Sequence, residues 1–310
     1  MEKNEFQVTI PELSLMAIRD QVVEQCHEKL KYVEVENGFY AYDDAKFVIS
    51  NTLALRNVEK GIDYFKMHLL HEKLVKACYD NVEIVTENGI VVSSDEVRRF
   101  FFHEVKKLEV VERLLRSIRY NKKIAVSKEY FDRFPNLLVT PCGIIKLKNG
   151  KIIKNTPRIP VTRCTDVCFD AKAEGSFFKK FLSDVTLANQ ELIEFLQIFF
   201  GYCATGLTDQ EIIVVFYGDG RNGKSKLLRI IFEVLGNYAF YASKNTFYAG
   251  SNTHPTSTMN LMNKRLVIAP EFNGKDRIDL NLLKSLSGRD IITLQRKLFV
   301  FLFLHPTLSV

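Results

Sequence analysis

The chain has 310 residues, long enough for two domains and a sizeable core, with 43 Lys/Arg against 37 Asp/Glu and a formal net charge of +6. Its composition is that of a soluble globular protein, apart from 24 Phe and no Trp. No apolar run reaches the roughly 18 residues of a membrane span, and the polar start Met1–Leu15 has no signal-peptide core, so the sequence predicts an intracellular protein without a membrane partner. The charge is uneven: residues 1–100 hold 12 Lys/Arg and 18 Asp/Glu, residues 101–310 hold 31 and 19. Such a split fits a basic part that faces a polyanion, or a well-solvated surface. Six cysteines, Cys26, Cys78, Cys142, Cys164, Cys168 and Cys203, are scattered. Only Cys164 and Cys168 are close in sequence and no second ligand pair accompanies them, so all six are expected as reduced, partly buried thiols rather than a zinc site.

In chain order, Leu13–Leu30 and Ile62–Cys78 have helical periodicity, Gly38–Ile49 reads as a hairpin or short strands, and Val82–Val92 reads as a hairpin around Asn88-Gly89. His68 and His71 have no further ligands beside them and are expected as packing or surface residues. Phe100–Tyr120 predicts one long helix with Val111, Leu114, Leu115 and Ile118 on its apolar face and Arg113, Arg116 and Arg119 beside it. Residues 101–150 hold 11 Lys/Arg against 5 Asp/Glu; a solvated face and a nucleic-acid contact both fit that excess. Ile144–Leu147 predicts a strand before the Asn149-Gly150 turn. Phe177–Asp184 and Glu191–Cys203 predict a pair of helices forming a collar on the C-terminal third of the chain.

That third begins with Gly218-Asp219-Gly220-Arg221-Asn222-Gly223-Lys224-Ser225, which fits G-x-x-x-x-G-K-[ST]. A β-branched run, Ile212–Phe216, precedes it, and Lys226–Leu235 comes after it at helical spacing up to Gly236. Strand, glycine loop and helix make a phosphate cradle: glycines let backbone N–H groups approach phosphate oxygens, and the helix N-terminus adds partial positive charge. Lys224 is expected on the β/γ-phosphates of ATP and Ser225 on Mg²⁺. Tyr238–Tyr248 reads as an aromatic loop. Leu266–Ala269 predicts a second buried strand, adjacent to the loop-bearing one, with Pro270-Glu271 at its tip. Glu271 is there expected to manage Mg²⁺ and the attacking water. Asp279–Leu286 predicts a short helix ending at Gly288, and Asp290–Lys297 the first arm of a hairpin with a basic tip.

Three blocks together resemble the superfamily 3 helicases, specifically the helicase half of poxvirus-type and phage/plasmid-type primase-helicases: Asn136–Leu138 and Gly143–Ile145 with the helices to Cys203, the GDGRNGKS loop, and Lys264–Glu271 followed by Leu283–Thr293. The resemblance covers roughly residues 130–297. It implies an α/β fold with an AAA+-like phosphate-loop sheet, preceded by an α+β and helical N-terminal region. It divides the chain into 1–110, an α+β region, 111–205, the domain preceding the ATPase, and 206–310, a partial ATPase domain. It also implies a replicative ATPase of viral or plasmid type, at a viral replication site or in a host cytoplasm, working as a hexameric ring on single-stranded or forked DNA, with Lys284, Arg289, Arg296 and Lys297 on the DNA. Two features depart from the family. A single Glu271 follows Pro270 where many relatives carry an acidic pair. The chain ends at Val310, before the sensor residue and the arginine that reaches a neighbouring subunit, and no primase domain precedes it. The sequence therefore reads as C-terminally truncated, and the apolar run Leu298–Leu304 is expected either as a central strand or against a partner, leaving the sheet an exposed edge.

These residues support ATP-dependent DNA unwinding, with catalysis resting on Lys224 and Glu271. Two alternatives stay open: a nucleotide- and DNA-binding module that does not hydrolyse, and a small-molecule kinase, which lacks a visible acceptor site.

Overall fold

Serines set where helices begin in the first of the two units into which the chain divides, Met1–Phe131 and Asp132–Val310. The structure is a computed structural model that describes residues 7–10, 14–67, 83–210, 212–218, 220–248, 260–261, 263–272, 277–287 and 300–304. Ser14 accepts a hydrogen bond from the Ala17 N–H and opens α1, Leu15–Cys26; Ser50 accepts one from the Leu53 N–H and opens α2, Asn51–Phe65. Each cap satisfies a donor that the first helical turn leaves unbonded. α1 buries Ile18, Val22, Val23 and Cys26, and α2 buries Ala54, Val58, Ile62 and Phe65. The two helices approach closely at Gly61, where a Cβ would stand 3.2 Å from the Val22 Cα. The helix expected from Ile62 thus begins at Asn51, its apolar stripe running back to Ala54; residues 68–82, with His68, His71 and Cys78, lie outside the described residues.

The strands of this unit are β1 (Gln7–Ile10), β2 (Leu30–Val33), β3 (Gly38–Asp43), β4 (Lys46–Ile49), β5 (Glu83–Thr86), β6 (Val91–Val92) and β7 (Ala125–Val126). They form one sheet in the order β4-β3-β2-β7 and another in the order β1-β5-β6. A hairpin forms in both expected places, β3–β4 and β5–β6, the latter turning through Gly89 at φ +83°. The single helix expected over Phe100–Tyr120 is instead two pieces, a π-helical turn and a separate helix, with a short helix ahead of them. A short α3, Ser94–Arg98, opens with a reciprocal Ser93–Glu96 capping box and runs into a π-helical turn, Arg99–Glu104; α4, Leu108–Ile118, starts afresh after an extended Lys107. The break has a packing reason. At about 100° per residue, Val105 on a continuous helix would lie about 120° from the Val111–Ile118 stripe, whereas both Val105 and that stripe are buried.

In the second unit β8 (Leu137–Thr140), β9 (Gly143–Lys146) and β10 (Lys151–Ile153) form an antiparallel meander. Then come α5 (Ser176–Val185), α6 (Gln190–Ala204), β11 (Val214–Phe216), α7 (Lys224–Leu235), β12 (Ala239–Tyr241), β13 (Leu266–Phe272), α8 (Leu280–Ser287) and β14 (Val300–Leu304). The last four strands form a wholly parallel sheet in the order β11-β14-β13-β12. Two expectations change here, and one alternative is decided. Tyr238–Tyr248 is not all loop, because Ala239–Tyr241 is the edge strand β12. β13 does not neighbour β11, because β14 lies between them. The apolar run near the end of the chain supplies that central strand, so the sheet edges among the described residues are β11 and β12.

A strand of a parallel sheet is covered on both faces and reads as a continuous apolar run. β13 shows why: Leu266 and Ile268 join a core with Leu138, Phe199, Cys203 and Leu228, while Val267 and Ala269 join another with Phe247, Leu261 and Leu283. Arg265, just before this strand, ties three segments together. Its guanidinium donates to the Leu137 carbonyl at 2.7 Å and to the Ala204 carbonyl, and lies 4.1 Å over the Tyr238 ring. Tyr238 in turn donates to the Arg163 carbonyl (3.0 Å) and accepts from the Val139 N–H (3.3 Å).

Cys142, in the β8–β9 turn, forms a disulfide with Cys168, which overturns the expectation of reduced thiols for these two. The fold brings residues 26 apart in sequence to a Cα–Cα distance of 5.4 Å, a proximity that sequence spacing does not encode. Cys26, Cys164 and Cys203 are buried and lie outside that disulfide, and burial pushes the Cys26 thiol up to about 12.

Burial also pushes the Tyr238 phenol up to about 12. Tyr238→Phe strands a buried N–H and a carbonyl and is expected to cost about 1–3 kcal/mol in urea unfolding. Because the folded-state value lies above the unfolded one, the contribution of the phenol is complete below about pH 10 and is lost as pH rises toward 12. The gap between wild type and Tyr238→Phe should therefore narrow over that window.

Candidate functional site

At the C-terminal end of β11 the chain enters a loop whose backbone leaves the ordinary regions three times. Gly218 has φ +137°, Arg221 φ +64° and Gly223 φ +88°. Glycine adopts such values without steric cost, and a side-chain-bearing residue such as Arg221 does so against strain. Asp219 lies outside the described residues; Gly220, Arg221, Asn222 and Ser225 are exposed, Gly223 and Lys224 half-buried. The loop ends on α7, whose N-cap is Gly223, so no side chain caps the helix. Its first-turn N–H donors and the positive end of its dipole are presented at the loop. The Lys224 ammonium spans the loop, donating to the Gly218 carbonyl and the Asn222 Oδ1, each at 2.8 Å.

Packing as well as backbone conformation calls for glycine at two of these positions. A Cβ on Gly218 would stand 3.0 Å from the Asn222 amide nitrogen; one on Gly223 would stand 2.4 Å from the Val185 Cγ1. A Cβ on Gly220 would meet nothing within 4 Å. The last turn of α5 thus lies against the loop through Val185, with Phe181 beside it.

Between these elements runs a groove of about 430 Å³, with Asn222, Gly223 and Lys224 at its polar part and Leu192, Phe195 and Tyr217 on its apolar wall. That volume is in the range of ligand pockets, about 300–1,000 Å³. A second cavity, of about 40 Å³, lies at the other end of the parallel sheet, among Arg163, Lys264 and Arg265, and has room for little more than water. Phe195 and Tyr217 are 48% and 80% exposed, so the apolar wall is open. The segment leading into β11 is fixed from α6: Tyr202 donates to Asp209 at 2.6 Å and accepts from the Gln210 N–H. Burial and the neighbouring Asp209 push the Tyr202 phenol up to about 12, and the phenol's hydrogen bond holds the Asp209 carboxyl below its usual value.

Glu271 lies near the end of β13, and its backbone shares a row with the loop strand. Phe303 of β14 is the register partner of Phe216 on one side and of Glu271 on the other. Two strand spacings separate the Phe216 and Glu271 backbones, about 10 Å. The β13–β14 register shifts between Ile268 and Glu271, where β13 holds one extra residue. Pro270 falls in that interval and has no N–H for the ladder. Among the expected DNA contacts, Lys284 is exposed on α8, while Arg289, Arg296 and Lys297 lie outside the described residues. No group of His, Cys, Asp and Glu suited to a metal ion occurs among the described residues, and no helix there is long and apolar enough to cross a membrane.

The groove wall was not legible in the sequence. Val185, Leu192 and Phe195 have ordinary helical spacing, and only the exposure of Leu192 and Phe195 and the contact of Val185 with the loop mark them.

Residues 20–187, more than half of the chain, match the family model described as D5 N terminal like. The chain belongs to that family. The D5 N terminal like region is the N-terminal part of D5-type primase-helicases, a family of DNA replication. The match runs through β8–β10 and α5 and ends at Leu187, ahead of α6 and the glycine loop. It ends at a backbone feature, since Leu187 and Ala188 both have positive φ, 52° and 55°. No curated protein matches the chain.

Gly223→Ala combines a forbidden φ with the Val185 clash and is expected to lower stability by about 1–3 kcal/mol. Adding Val185→Ala should recover the steric share and leave the backbone share. Thermal unfolding of the single and double variants checks this, and no recovery would mean that α5 yields freely at that contact.

Proposed function

We propose that the chain is an ATP-dependent DNA helicase of the superfamily 3 type, or its catalytic core, hydrolysing ATP to move along single-stranded DNA. The observation that carries this reading is the Gly218–Ser225 loop: a glycine-bearing turn from a parallel strand onto an uncapped helix N-terminus, with a lysine ammonium across its mouth. Its occurrence in a chain of the D5-type primase-helicase family makes a replicative ATPase the natural use of such a loop. In this reading the four-stranded parallel sheet is an AAA+-like phosphate-loop sheet. The ATPase part is residues 206–310, and the working form is a hexameric ring on single-stranded or forked DNA.

The residues present fit a nucleotide triphosphate and its Mg²⁺. The uncapped N–H groups of α7 and the space beside Gly220 suit phosphate oxygens. Lys224, which holds Gly218 and Asn222, exchanges those two neutral acceptors for the β/γ-phosphates, a stronger charge-assisted pairing. The Ser225 hydroxyl and Glu271 would hold Mg²⁺, which when bound neutralises charge on the phosphoryl oxygens. Glu271 also orients the water that displaces ADP from the γ-phosphoryl group. Lys284, Arg289, Arg296 and Lys297 contact DNA phosphates, so affinity falls with salt.

Lys224→Ala should weaken ATP–Mg²⁺ binding by about ten- to a hundred-fold, since a charged hydrogen bond contributes about 1.5–3 kcal/mol; equal affinity by calorimetry would remove the nucleotide assignment. Glu271→Gln should keep ATP bound and slow phosphate release by about a hundred-fold or more. Hydrolysis by wild type should rise when single-stranded DNA is added. If the wild type binds ATP but releases no phosphate with or without DNA, the chain is a binding module and not a motor.

A further inference from the structure

The first unit contains no part of the glycine loop or the groove, yet it carries a strongly basic exposed face. Val111, Leu114, Leu115 and Ile118 are buried, which leaves Arg113 and Arg116 exposed on the other side of α4. Half-buried Arg119 and exposed Tyr120 continue the chain beyond the helix, and Lys122, also exposed, comes two residues later.

The cations here fall into two groups. Lys106, Lys107 and Lys123 have acidic partners: Asp63 at 3.9 Å, Glu104 at 2.8 Å and Glu24 at 2.5 Å. Arg113, Arg116, Arg119 and Lys122 form no ion pair among the described residues. Glu109 and Glu112 stand four residues before Arg113 and Arg116, the spacing that supports a helix through ion pairs, but neither pair closes; Arg116 Nε instead approaches the Glu112 backbone carbonyl at 3.4 Å. A face kept only for solubility would be expected to use those pairs.

The Arg119 guanidinium lies 4.7 Å over the Tyr120 ring, and its Nε is buried with no hydrogen-bond partner among the described residues. The ring itself is 71% exposed. An exposed aromatic ring braced by arginine among unpaired cations meets the two requirements of a single-stranded nucleic-acid contact, a charged track for the backbone and a platform for a base. Bases stacked inside a duplex offer no free face to such a ring.

We propose that this face of the first unit binds single-stranded nucleic acid, with Arg113, Arg116 and Lys122 on phosphates and Tyr120, braced by Arg119, stacked on a base. The contact uses none of Lys284, Arg289, Arg296 and Lys297 and does not depend on the nucleotide loop.

The test is fluorescence anisotropy of the full chain with a labelled oligothymidylate, without nucleotide, over a range of salt, so that failure of the ATPase reading leaves the result intact. Each phosphate contact on a single strand contributes about 0.7 to the slope of log affinity against log salt. The triple variant Arg113→Gln, Arg116→Gln, Lys122→Gln should therefore lower that slope by about 2. Tyr120→Ala should weaken binding about five-fold or more at every salt concentration. All four positions are exposed, and circular dichroism should show unchanged folding. An unchanged slope in the folded triple variant, no binding by wild type, or a duplex bound as tightly as the single strand and equally sensitive to Tyr120→Ala would each overturn the proposal.

Discussion

Backbone hydrogen bonds on both sides of one five-residue strand, Val300–Leu304, set the geometry of the second unit. Through β14 the loop-bearing strand and the Glu271 strand are held in parallel and in fixed register, although they share no direct pairing. Phe303 is the common partner, so the point where the glycine loop leaves the sheet and the point where the acidic residue stands are tied to one residue. A shift of β14 by one position would move both together relative to itself and change their alignment with the helices around them. Parallel neighbours also require crossover connections, and α7 and α8 lie in the connections after β11 and β13. The loop is thus an outcome of the sheet: it begins where β11 stops and ends where α7 must start.

A second constraint acts around the loop. Arg265 and Tyr238 join the β8 strand, the end of α6 and the segment after α7 through backbone carbonyls and one N–H. These bonds connect the part of the unit that matches the D5 N terminal like family with the part that carries the loop. Val185 of α5, inside the matched region, touches Gly223 of the loop. The family region and the loop are therefore neighbours within this unit, and any ligand that enlarges the space at Gly223 has to move α5.

Much of the local structure was legible from the residues. The Asn88-Gly89 turn, the two helices after Gly175, the strand before Gly218 and the helix after it follow from periodicity and from glycine's freedom at φ +83° and +88°. The features that stayed hidden depended on long-range pairing. The run Leu298–Leu304 offered an apolar composition with two possible coverings, and only strand order assigns Val300–Leu304 to the centre of the sheet. The same order removed the expected adjacency of β11 and β13. The break at Lys107 was invisible because Phe100–Tyr120 is apolar and charged at nearly helical spacing throughout; the burial of Val105 decides it. The Cys142–Cys168 pair was missed because all six cysteines were expected as reduced thiols and these two lie 26 residues apart, with nothing local to mark them as partners.

Everything proposed for the second unit requires that the Gly218–Ser225 loop and the first turn of α7 receive a nucleotide triphosphate. Amide hydrogen exchange of the full chain with and without ATP–Mg²⁺ reads this at the residues concerned. Slower exchange is expected to be confined to residues 218–228 and the last turn of α5, because phosphate oxygens would take the uncapped N–H groups and α5 would be held at Gly223. Unchanged exchange across those residues at saturating ATP, or protection only elsewhere in the chain, would rule the site out.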